Sequence, residues 1–175
     1  PPRSTLFPYT TLFRSSGKST AGRKLAASLG WAFIDLDRKI EEFARKTIPR
    51  IFSEEGEEQF RKIESKVLKD LTNAENTIVS TGGGTPCHGS NMEYMLRTGV
   101  TIYLKMTPDQ LARRLLNSSG ERPLLKNIPD DKLPVFIEEK LSHREQWYKK
   151  ADIIVDGLSL NIELLKSMIG SAVNR

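Results

Sequence analysis

The residues Ser16-Gly17-Lys18-Ser19-Thr20 stand at the start of an amphipathic stretch and carry the clearest chemical signal in the chain. They match the second half of the phosphate-binding pattern G-x-x-x-x-G-K-[ST], in which backbone amides cradle phosphates and the lysine reaches the terminal ones. The free N–H groups and the dipole of a helix both favour an anion at its start. We therefore expect Lys18 to neutralise charge on a transferred phosphoryl group and the Ser19 hydroxyl to ligate Mg²⁺. An ordinary lysine at a helix start is the competing interpretation.

The first half of the same pattern does not fit. The pattern requires glycine at position 12, where this chain has Leu12. Residues 5–15 resemble, residue for residue, the translation of a widely used DNA-sequencing adapter. We therefore interpret residues 1–15 as an artefact of the gene sequence, leave them out of the fold prediction, and assign residues 16–175 to a single domain. A divergent natural N-terminus is the alternative.

A second candidate site is the pair Asp35-x-Asp37, which follows the short apolar run 31–34. The run predicts a buried parallel strand, and ligands of doubly wound folds bind at the carboxyl ends of such strands. Residues two apart on an extended backbone point the same way. One carboxylate can then assist Mg²⁺, and the other can accept a proton or hydrogen bond from a substrate hydroxyl. Simple turn residues are the alternative, which the upstream Gly-Lys-Ser-Thr disfavours.

Two more segments have compositions that suggest ligand contact. Gly82, Gly83 and Gly84 follow the predicted strand 77–80, and successive glycines let a backbone approach a ligand closely. A plain flexible turn is the alternative. The segment 56–64 carries Arg61, which taken alone reads as a solvated charge.

The periodicity of apolar residues predicts strands alternating with helices. Strands are expected over 31–34, 77–80, 100–104 and 152–155. Helices are expected over 18–29, 38–46, 48–52, 57–71, 90–97, 108–116 and 131–149, with a last helix capped by Ser159 and ending near 172. This alternation predicts a three-layer α/β fold with a parallel sheet covered on both faces. Four strands are visible, and a fifth is expected before the phosphate loop, where the artefactual residues lie.

The bulk composition bounds the function. The net charge of +5 falls to +3 without Arg3 and Arg14, a mild excess that suits a small anionic substrate better than nucleic acid. The one cysteine, Cys87, fits a reducing cytoplasm. The chain has no run of about 18 apolar residues, so no membrane span is expected. We expect a cytoplasmic monomer that binds neither nucleic acid nor membrane.

Taken together, the ordered segments resemble the shikimate kinase family over essentially everything from Ser16 onward. They are GKST (17–20), FIDLD (33–37), GEEQFRKIE (56–64), STGGG (80–84), ARR (112–114), ERPLL (121–125) and HREQWYKKAD (143–152). The resemblance implies a P-loop fold of the nucleoside-monophosphate-kinase type, with a substrate-binding region at about 35–64 and a lid at about 117–129. It also implies transfer of phosphate from ATP to shikimate, giving shikimate 3-phosphate.

The resemblance assigns one group of residues to shikimate. These are Asp37, Arg61, Gly83, Gly84 and Arg144. Arginine pairs bidentately with a carboxylate, which shikimate carries, so Arg61 and Arg144 are expected to clamp it. Asp37 is the expected base. Glu64, one helical turn from Arg61, is expected to fix that arginine through an i,i+3 contact.

A second group is assigned to ATP and the metal. The ATP-binding residues are Ser16, Gly17, Lys18, Ser19, Thr20, Arg114 and Arg122. Arg114 is expected to stack near the adenine, and Arg122 to close on the phosphates as part of the lid. Ser19 and Asp35 form the implied Mg²⁺ pair, and Lys18, Asp37 and Arg122 the implied catalytic set. Cys87, Trp147 and Tyr148 are interpreted as packing residues.

Two alternatives remain open at this point. One is a related sugar-acid kinase of the gluconate type, which the 33–37, 56–64 and 82–84 segments disfavour. The other is a chain that is no enzyme, because Leu12 and its neighbours place side chains where backbone should meet phosphate.

Overall fold

The protein folds around a parallel β-sheet with helices on both faces. The computed structural model describes residues 5–9, 17–71, 74–117 and 128–173. Five strands lie in the order β2-β3-β1-β4-β5, and every neighbouring pair is parallel. The strands are β1 (Thr5–Tyr9), β2 (Ala32–Asp35), β3 (Thr77–Ser80), β4 (Gly99–Lys105) and β5 (Ile153–Asp156). The α/β class expected from the alternating pattern is confirmed.

The helices lie close to their predicted positions. They are α1 (Lys18–Leu29), α2 (Leu36–Ala44), α3 (Ile48–Asp70), α4 (Asn91–Thr98), α5 (Pro108–Leu116), α6 (Leu133–Tyr148) and α7 (Ile162–Val173), with short 3-10 turns at Thr85–Cys87 and Asp130–Lys132. Gly56 interrupts α3 with a non-helical backbone, which is where the sequence predicts a break between two helices. Among the residues that the structure describes, no helix is long and apolar enough to cross a membrane.

The middle strand of the sheet lies within residues 1–15, which were left out of the fold prediction although a fifth strand was expected before the phosphate loop. Thr5–Tyr9 forms this strand and pairs along five residues with β4. Its pairing with β3 covers only Thr5 and Leu6, ending two residues before Pro8, which has no N–H to donate. Thr, Phe and Tyr have high β propensity. A short segment rich in them can therefore occupy the gap between two buried strand edges.

The hydrophobic core is divided by the sheet into two layers. Successive strand residues point to opposite faces, so Ile78 packs with α1 and α7 while Val79 packs with α2, α3 and α4. A third, smaller cluster joins α5 to α6 around Leu111 and Ile137. This arrangement fixes the carboxyl ends of β2 and β3 beside the start of α1.

One predicted cap was wrong. The sequence assigns Ser159 to the start of the last helix, but α7 begins at Ile162 and the Asn161 side chain accepts a hydrogen bond from Leu164 N at 3.0 Å. Asparagine and serine are both good N-caps, so the sequence alone does not choose between them. Asp156 decides the matter, because its carboxylate accepts from Leu158 N at 2.7 Å and holds the intervening turn outside the helix.

Candidate active site

The start of α1 has the geometry expected of an anion-binding helix end. Gly17 has φ +82° and lies directly before Lys18, which opens the helix and is 6% exposed. A Cβ at Gly17 would lie 2.7 Å from Arg114 Nη1, and the positive φ itself disfavours any residue with a side chain. The guanidinium of Arg114 thus lies against Gly17, directly before the start of α1.

A cavity of about 340 Å³ lies beside this helix start. Gly17 and Thr20 line it on the α1 side, Arg114 on the α5 side, and Gly157 and Leu158 on the side that follows β5. Arg114 Nη2 donates to Gly157 O at 3.4 Å, which closes one end. The cavity has the mixed character of a site for a flat ring attached to an anionic chain: one cationic plane and apolar walls.

Oxygen ligands meet between α1 and two strand ends. Ser19 Oγ donates to Asp35 Oδ2 at 3.0 Å and lies 3.4 Å from Ser80 Oγ. Mg²⁺ prefers oxygen ligands and is commonly held by one or two carboxylates plus substrate phosphates, so this donor set fits the ion. The next residue, Thr81, has a buried hydroxyl with no hydrogen-bond partner in the described structure, and a buried polar atom of this kind calls for a partner such as a bound reactant.

The two aspartates do not lie on one extended strand, and this part of the prediction was wrong. Asp35 ends β2 and caps α2, its Oδ1 accepting from Asp37 N at 3.1 Å and from Arg38 N at 3.4 Å. Asp37 is already in the first turn of α2. The cap turns the chain into a helix at Asp35, because a carboxylate there satisfies amides that have no other partner.

The predicted contact between Arg61 and Glu64 is confirmed. Arg61 Nη1 donates to Glu64 Oε2 at 2.8 Å, and its Nη2 donates to Glu57 Oε1 at 3.1 Å. Glu64 is 1% exposed, and its other oxygen accepts from Thr85 Oγ1 at 2.6 Å. The guanidinium also lies 4.9 Å from the centre of the Phe60 ring. Arg61 is therefore held in place on several sides and is not a free surface charge.

Carboxylates gather around the first glycine of the Gly82–Gly84 run. A Cβ at Gly82 would lie 3.4 Å from Asp37 Oδ1 and 3.5 Å from Glu64 Oε1. Burial raises the pKa of Glu64 above its usual range, opposed by Arg61 and Thr85 and reinforced by the Asp37 charge. Asp37 thus lies beside the glycine run and close to the buried Glu64 of α3.

The glycine run contacts both predicted clamp regions. A Cβ at Gly84 would lie 2.9 Å from Arg61 Nη1, so the backbone packs directly on the guanidinium. Gly83 O accepts from the hydroxyl of Tyr148 on α6. Arg144, one turn earlier on α6, is close enough to contribute with Arg61 to lowering the pKa of His88, although burial is the larger cause. The two arginines therefore act on the same small region.

The thiol of Cys87 is not activated by the arginines near it. Burial raises its pKa to about 11 in spite of Arg144 and Arg61. Its side chain packs against the larger core layer. A protonated, half-buried thiol is a poor nucleophile, which agrees with its interpretation as a packing residue.

Several of the predicted residues cannot be placed. Ser16 and Arg122, with residues 118–127 of the expected lid, lie outside the described residues. Sequence reasoning also missed contributors that the structure brings in: Ser80 beside Ser19, Thr85 on Glu64, and Tyr148 on the glycine run. Ser80 could have been found, since it ends a strand next to Asp35. The other two depend on tertiary contacts that no local pattern encodes.

The fold and site together define a P-loop kinase of the α/β class. A parallel sheet carries a helix that starts at Gly-Lys-Ser-Thr, beside two side-chain oxygens suited to a metal ion. A site lined by arginine lies at the same edge of the sheet. The family model for shikimate kinase matches residues 14–170. The chain belongs to the shikimate kinase family.

Individual relatives agree with this assignment. The chain is 43% identical over 144 residues to the shikimate kinase of Parabacteroides distasonis, covering 82% of this chain and 83% of that protein. The crystal structure of shikimate kinase from Bacteroides thetaiotaomicron superposes with a TM-score of 0.83 at 37% identity, covering 98% and 97% of the two chains. Shikimate kinase from Acinetobacter baumannii, solved in complex with shikimate, gives a TM-score of 0.80 at 28% identity, covering 98% and 93%.

Proposed function

We propose that this chain transfers a phosphoryl group from ATP to a hydroxyl of shikimate, producing shikimate 3-phosphate for aromatic amino-acid synthesis. One observation carries the proposal: the residues at the end of β3 lie between the start of α1, which suits phosphate, and Arg61, which suits a carboxylate. Ser80 Oγ lies 3.4 Å from Ser19 Oγ on the helix that begins at Lys18, and four residues later Gly84 packs on Arg61. A donor and an acceptor bound at these two places would be close enough for direct transfer.

On the nucleotide side, the start of α1 would bind the phosphates of ATP. Gly17, Lys18, Ser19 and Thr20 supply backbone amides, a cation and hydroxyls there, and Lys18 would neutralise charge on the transferred group. The cavity between Thr20, Arg114 and Leu158 would hold the adenine, with the Arg114 guanidinium against its face. Ser16 is assigned to the same loop by sequence alone.

We assign Mg²⁺ to Ser19 and Asp35, with Ser80 beside them. When bound, the ion would offset the negative charge that develops on the phosphates during transfer. Asp35 has a second task in the free protein, because its other oxygen caps α2. The same carboxylate would therefore orient both the metal site and the helix that carries Asp37.

On the acceptor side, Arg61 and Arg144 would clamp the shikimate carboxylate. The amides of Gly83 and Gly84 and the carboxylate of Asp37 would bind ring hydroxyls, with Asp37 accepting the proton of the attacking one. The region 35–64, which comprises the end of β2 with α2 and most of α3, would form the wall of this site. Arg122 and the lid at 117–129 would close over the phosphates and exclude water.

We also propose that residues 1–15 do not belong to the natural enzyme. Leu12 stands where the phosphate-binding pattern has glycine, and side chains there would occupy space that phosphate needs. Resequencing the gene through the codons before Ser16 tests this directly. A read that reproduces Leu12 from genomic DNA would overturn it.

A coupled assay that compares shikimate with gluconate as acceptor tests the reaction itself. It is best done with residues 1–15 replaced by those of a relative, so that the phosphate loop is complete. We expect turnover of shikimate alone, and expect Arg61→Ala and Arg144→Ala to raise the KM for shikimate far more than that for ATP. Preference for gluconate, or equal effects on both KM values, would contradict the assignment. Sedimentation of the purified chain tests the expected monomer.

A further inference from the structure

Tyr148 is the least expected contributor to the acceptor side. It ends α6, is 0% exposed, and donates its hydroxyl to Gly83 O at 2.6 Å. The ring packs against Tyr103, 5.0 Å away between centroids. Packing accounts for the buried aromatic ring of Tyr148 but not for its hydroxyl. A buried hydroxyl needs a hydrogen-bond partner, and here the partner is the carbonyl of Gly83, the middle residue of the glycine run.

The three glycine carbonyls are held in different ways. Thr85 N donates to Gly82 O at 3.1 Å and Cys87 N donates to Gly84 O at 2.9 Å, both within the local turn. Gly83 O receives its strong hydrogen bond from Tyr148, 65 residues away, and a weak one from the Cys87 thiol at 3.8 Å. The middle peptide is therefore fixed by a distant side chain, whereas its neighbours are fixed by the turn.

The direction of this carbonyl determines the direction of an amide. The peptide unit is planar, so the N–H of Gly84 points opposite to the C=O of Gly83. A peptide between two glycines can rotate at little steric cost, because neither residue has a Cβ. Without the hydroxyl, the Gly83–Gly84 peptide could turn over and withdraw the N–H of Gly84, while leaving the turn around it intact.

The same phenol also lies near a clamp residue. The Arg144 guanidinium, one turn earlier on α6, is close enough to favour the ionised form of the Tyr148 phenol and so opposes the effect of burial on its pKa. Burial raises the pKa of Tyr148 well above that of a free phenol, so the proton needed for the Gly83 contact is present throughout the neutral range.

We infer that Tyr148 is a positioning residue for the acceptor site: its hydroxyl fixes the Gly83–Gly84 peptide beside Arg144, so that the N–H of Gly84 faces the bound acid. This inference rests on the proposed function, because it assumes that Gly84 and Arg144 bind shikimate. It assigns a role to the hydroxyl that is separable from the packing of the ring.

The test is calorimetric titration of the full chain with shikimate in the absence of nucleotide, which does not depend on the phosphate loop. Tyr148→Phe keeps the ring and removes the hydroxyl. We expect shikimate to bind about tenfold more weakly, equivalent to about 1.4 kcal/mol. The matched control is Tyr94→Phe, because the Tyr94 hydroxyl also donates to a backbone carbonyl at 3.1 Å, but that carbonyl belongs to Lys69 on α3 and not to the glycine run.

The control separates positioning from stability. Both variants lose one buried hydroxyl and should show similar falls in Tm, but Tyr94→Phe should keep the shikimate affinity within about twofold. Equal affinities for the two variants would overturn the inference. Absence of shikimate binding by the unaltered chain would overturn the proposed function and this inference with it.

A measurement on the unaltered chain covers the case in which Tyr148→Phe does not fold. The hydroxyl proton of Tyr148 should be visible by NMR in slow exchange, since it is buried and donated over a short distance. Addition of shikimate should shift this resonance and that of the Gly84 amide together. A rapidly exchanging hydroxyl proton, or a Gly84 amide that does not respond, would overturn the inference.

Discussion

The nucleotide and acceptor halves of the site are held by different kinds of interaction. The nucleotide half depends mainly on backbone: the start of α1 at Gly17 and the end of β2, joined by contacts of the Ser19 hydroxyl with Asp35 and Ser80. The acceptor half depends on side chains that hold one another, such as Arg61 on Glu64 and Glu64 on Thr85. The first half is therefore sensitive to backbone conformation, and the second to individual side-chain replacements.

The polar chain of the acceptor half continues into the core. Asn91, which is 0% exposed, donates to Thr85 O at 3.0 Å and accepts from Ser65 Oγ at 2.7 Å. The groups from Ser65 to Arg61 are thus linked through buried hydrogen bonds. Satisfied buried networks specify one arrangement of their members. This half can therefore be complete in a chain whose nucleotide half is not.

The largest expected effect separates the two halves directly. Replacing residues 1–15 by the corresponding residues of the Bacteroides thetaiotaomicron relative should raise the affinity for ATP at least about a hundredfold. Two or more charge-assisted backbone hydrogen bonds, each worth about 1.5–3 kcal/mol, would be regained. The affinity for shikimate should stay the same. Calorimetry with each ligand measures both, and tight ATP binding by the unaltered chain would contradict the comparison.

A smaller effect is expected at the metal ligands. Asp35→Asn keeps a good N-cap for α2 but removes the charge that would hold Mg²⁺. In the chain with a complete phosphate loop, kcat/KM should fall about thirtyfold, equivalent to about 2 kcal/mol. Thermal unfolding should change little. A large fall in Tm with unchanged kcat/KM at saturating Mg²⁺ would instead make Asp35 a structural cap alone.

In the nucleotide half, the sequence predicted the secondary-structure elements better than the backbone geometry of the residues between them. In the acceptor half, the resemblance to a family predicted more than the local sequence patterns did. Lys18–Leu29 is helical as its periodicity indicates, and the i,i+3 contact of Arg61 with Glu64 follows from helix geometry. The turn at Asp35 was missed because a strand and a capped helix compete for the same residues, and the cap hydrogen bonds prevail. Tyr148 was interpreted only as packing, since its partner lies 65 residues away and no local period reports it.

Glu64→Gln should sharpen the view that side chains hold the acceptor half. The amide oxygen can still accept from Thr85, but the ionic contact with Arg61 is lost. We expect shikimate affinity to fall about tenfold, because a charge-assisted hydrogen bond becomes a neutral one. Calorimetry with shikimate measures it. Glu58→Gln, which alters a glutamate paired at the surface with Lys62, is the matched control and should leave the affinity unchanged.

The same variant has a distinct effect on stability. Burial raises the pKa of Glu64 in the folded chain, so the folded state binds the proton more tightly than the unfolded state, whose pKa is about 4.3. The wild-type free energy of unfolding therefore loses a contribution as pH rises from that value through the raised pKa. Glu64→Gln lacks this loss, so its free energy of unfolding should rise relative to that of the wild type between about pH 5 and about pH 8. Urea unfolding at the two pH values measures it, and the opposite trend would mean that Arg61 outweighs burial.

The smallest effect is expected at the cap of α5, which belongs to the nucleotide half. Thr107 Oγ1 accepts from Gln110 N at 3.2 Å, and Gln110 Oε1 accepts from Thr107 N at 2.9 Å. Thr107→Ala should lower the free energy of unfolding by about 1 kcal/mol, whereas Thr107→Ser should retain most of it.

Arg114 lies in the last turn of α5, where its guanidinium is held by Gly157 O, so fraying of the first turn should not release it. Shikimate affinity should be unchanged, because no contact in the acceptor half passes through this cap. A loss of shikimate binding in Thr107→Ala, measured by calorimetry beside urea unfolding, would show that the two halves are coupled through α5 and α6 and are less independent than their contacts indicate.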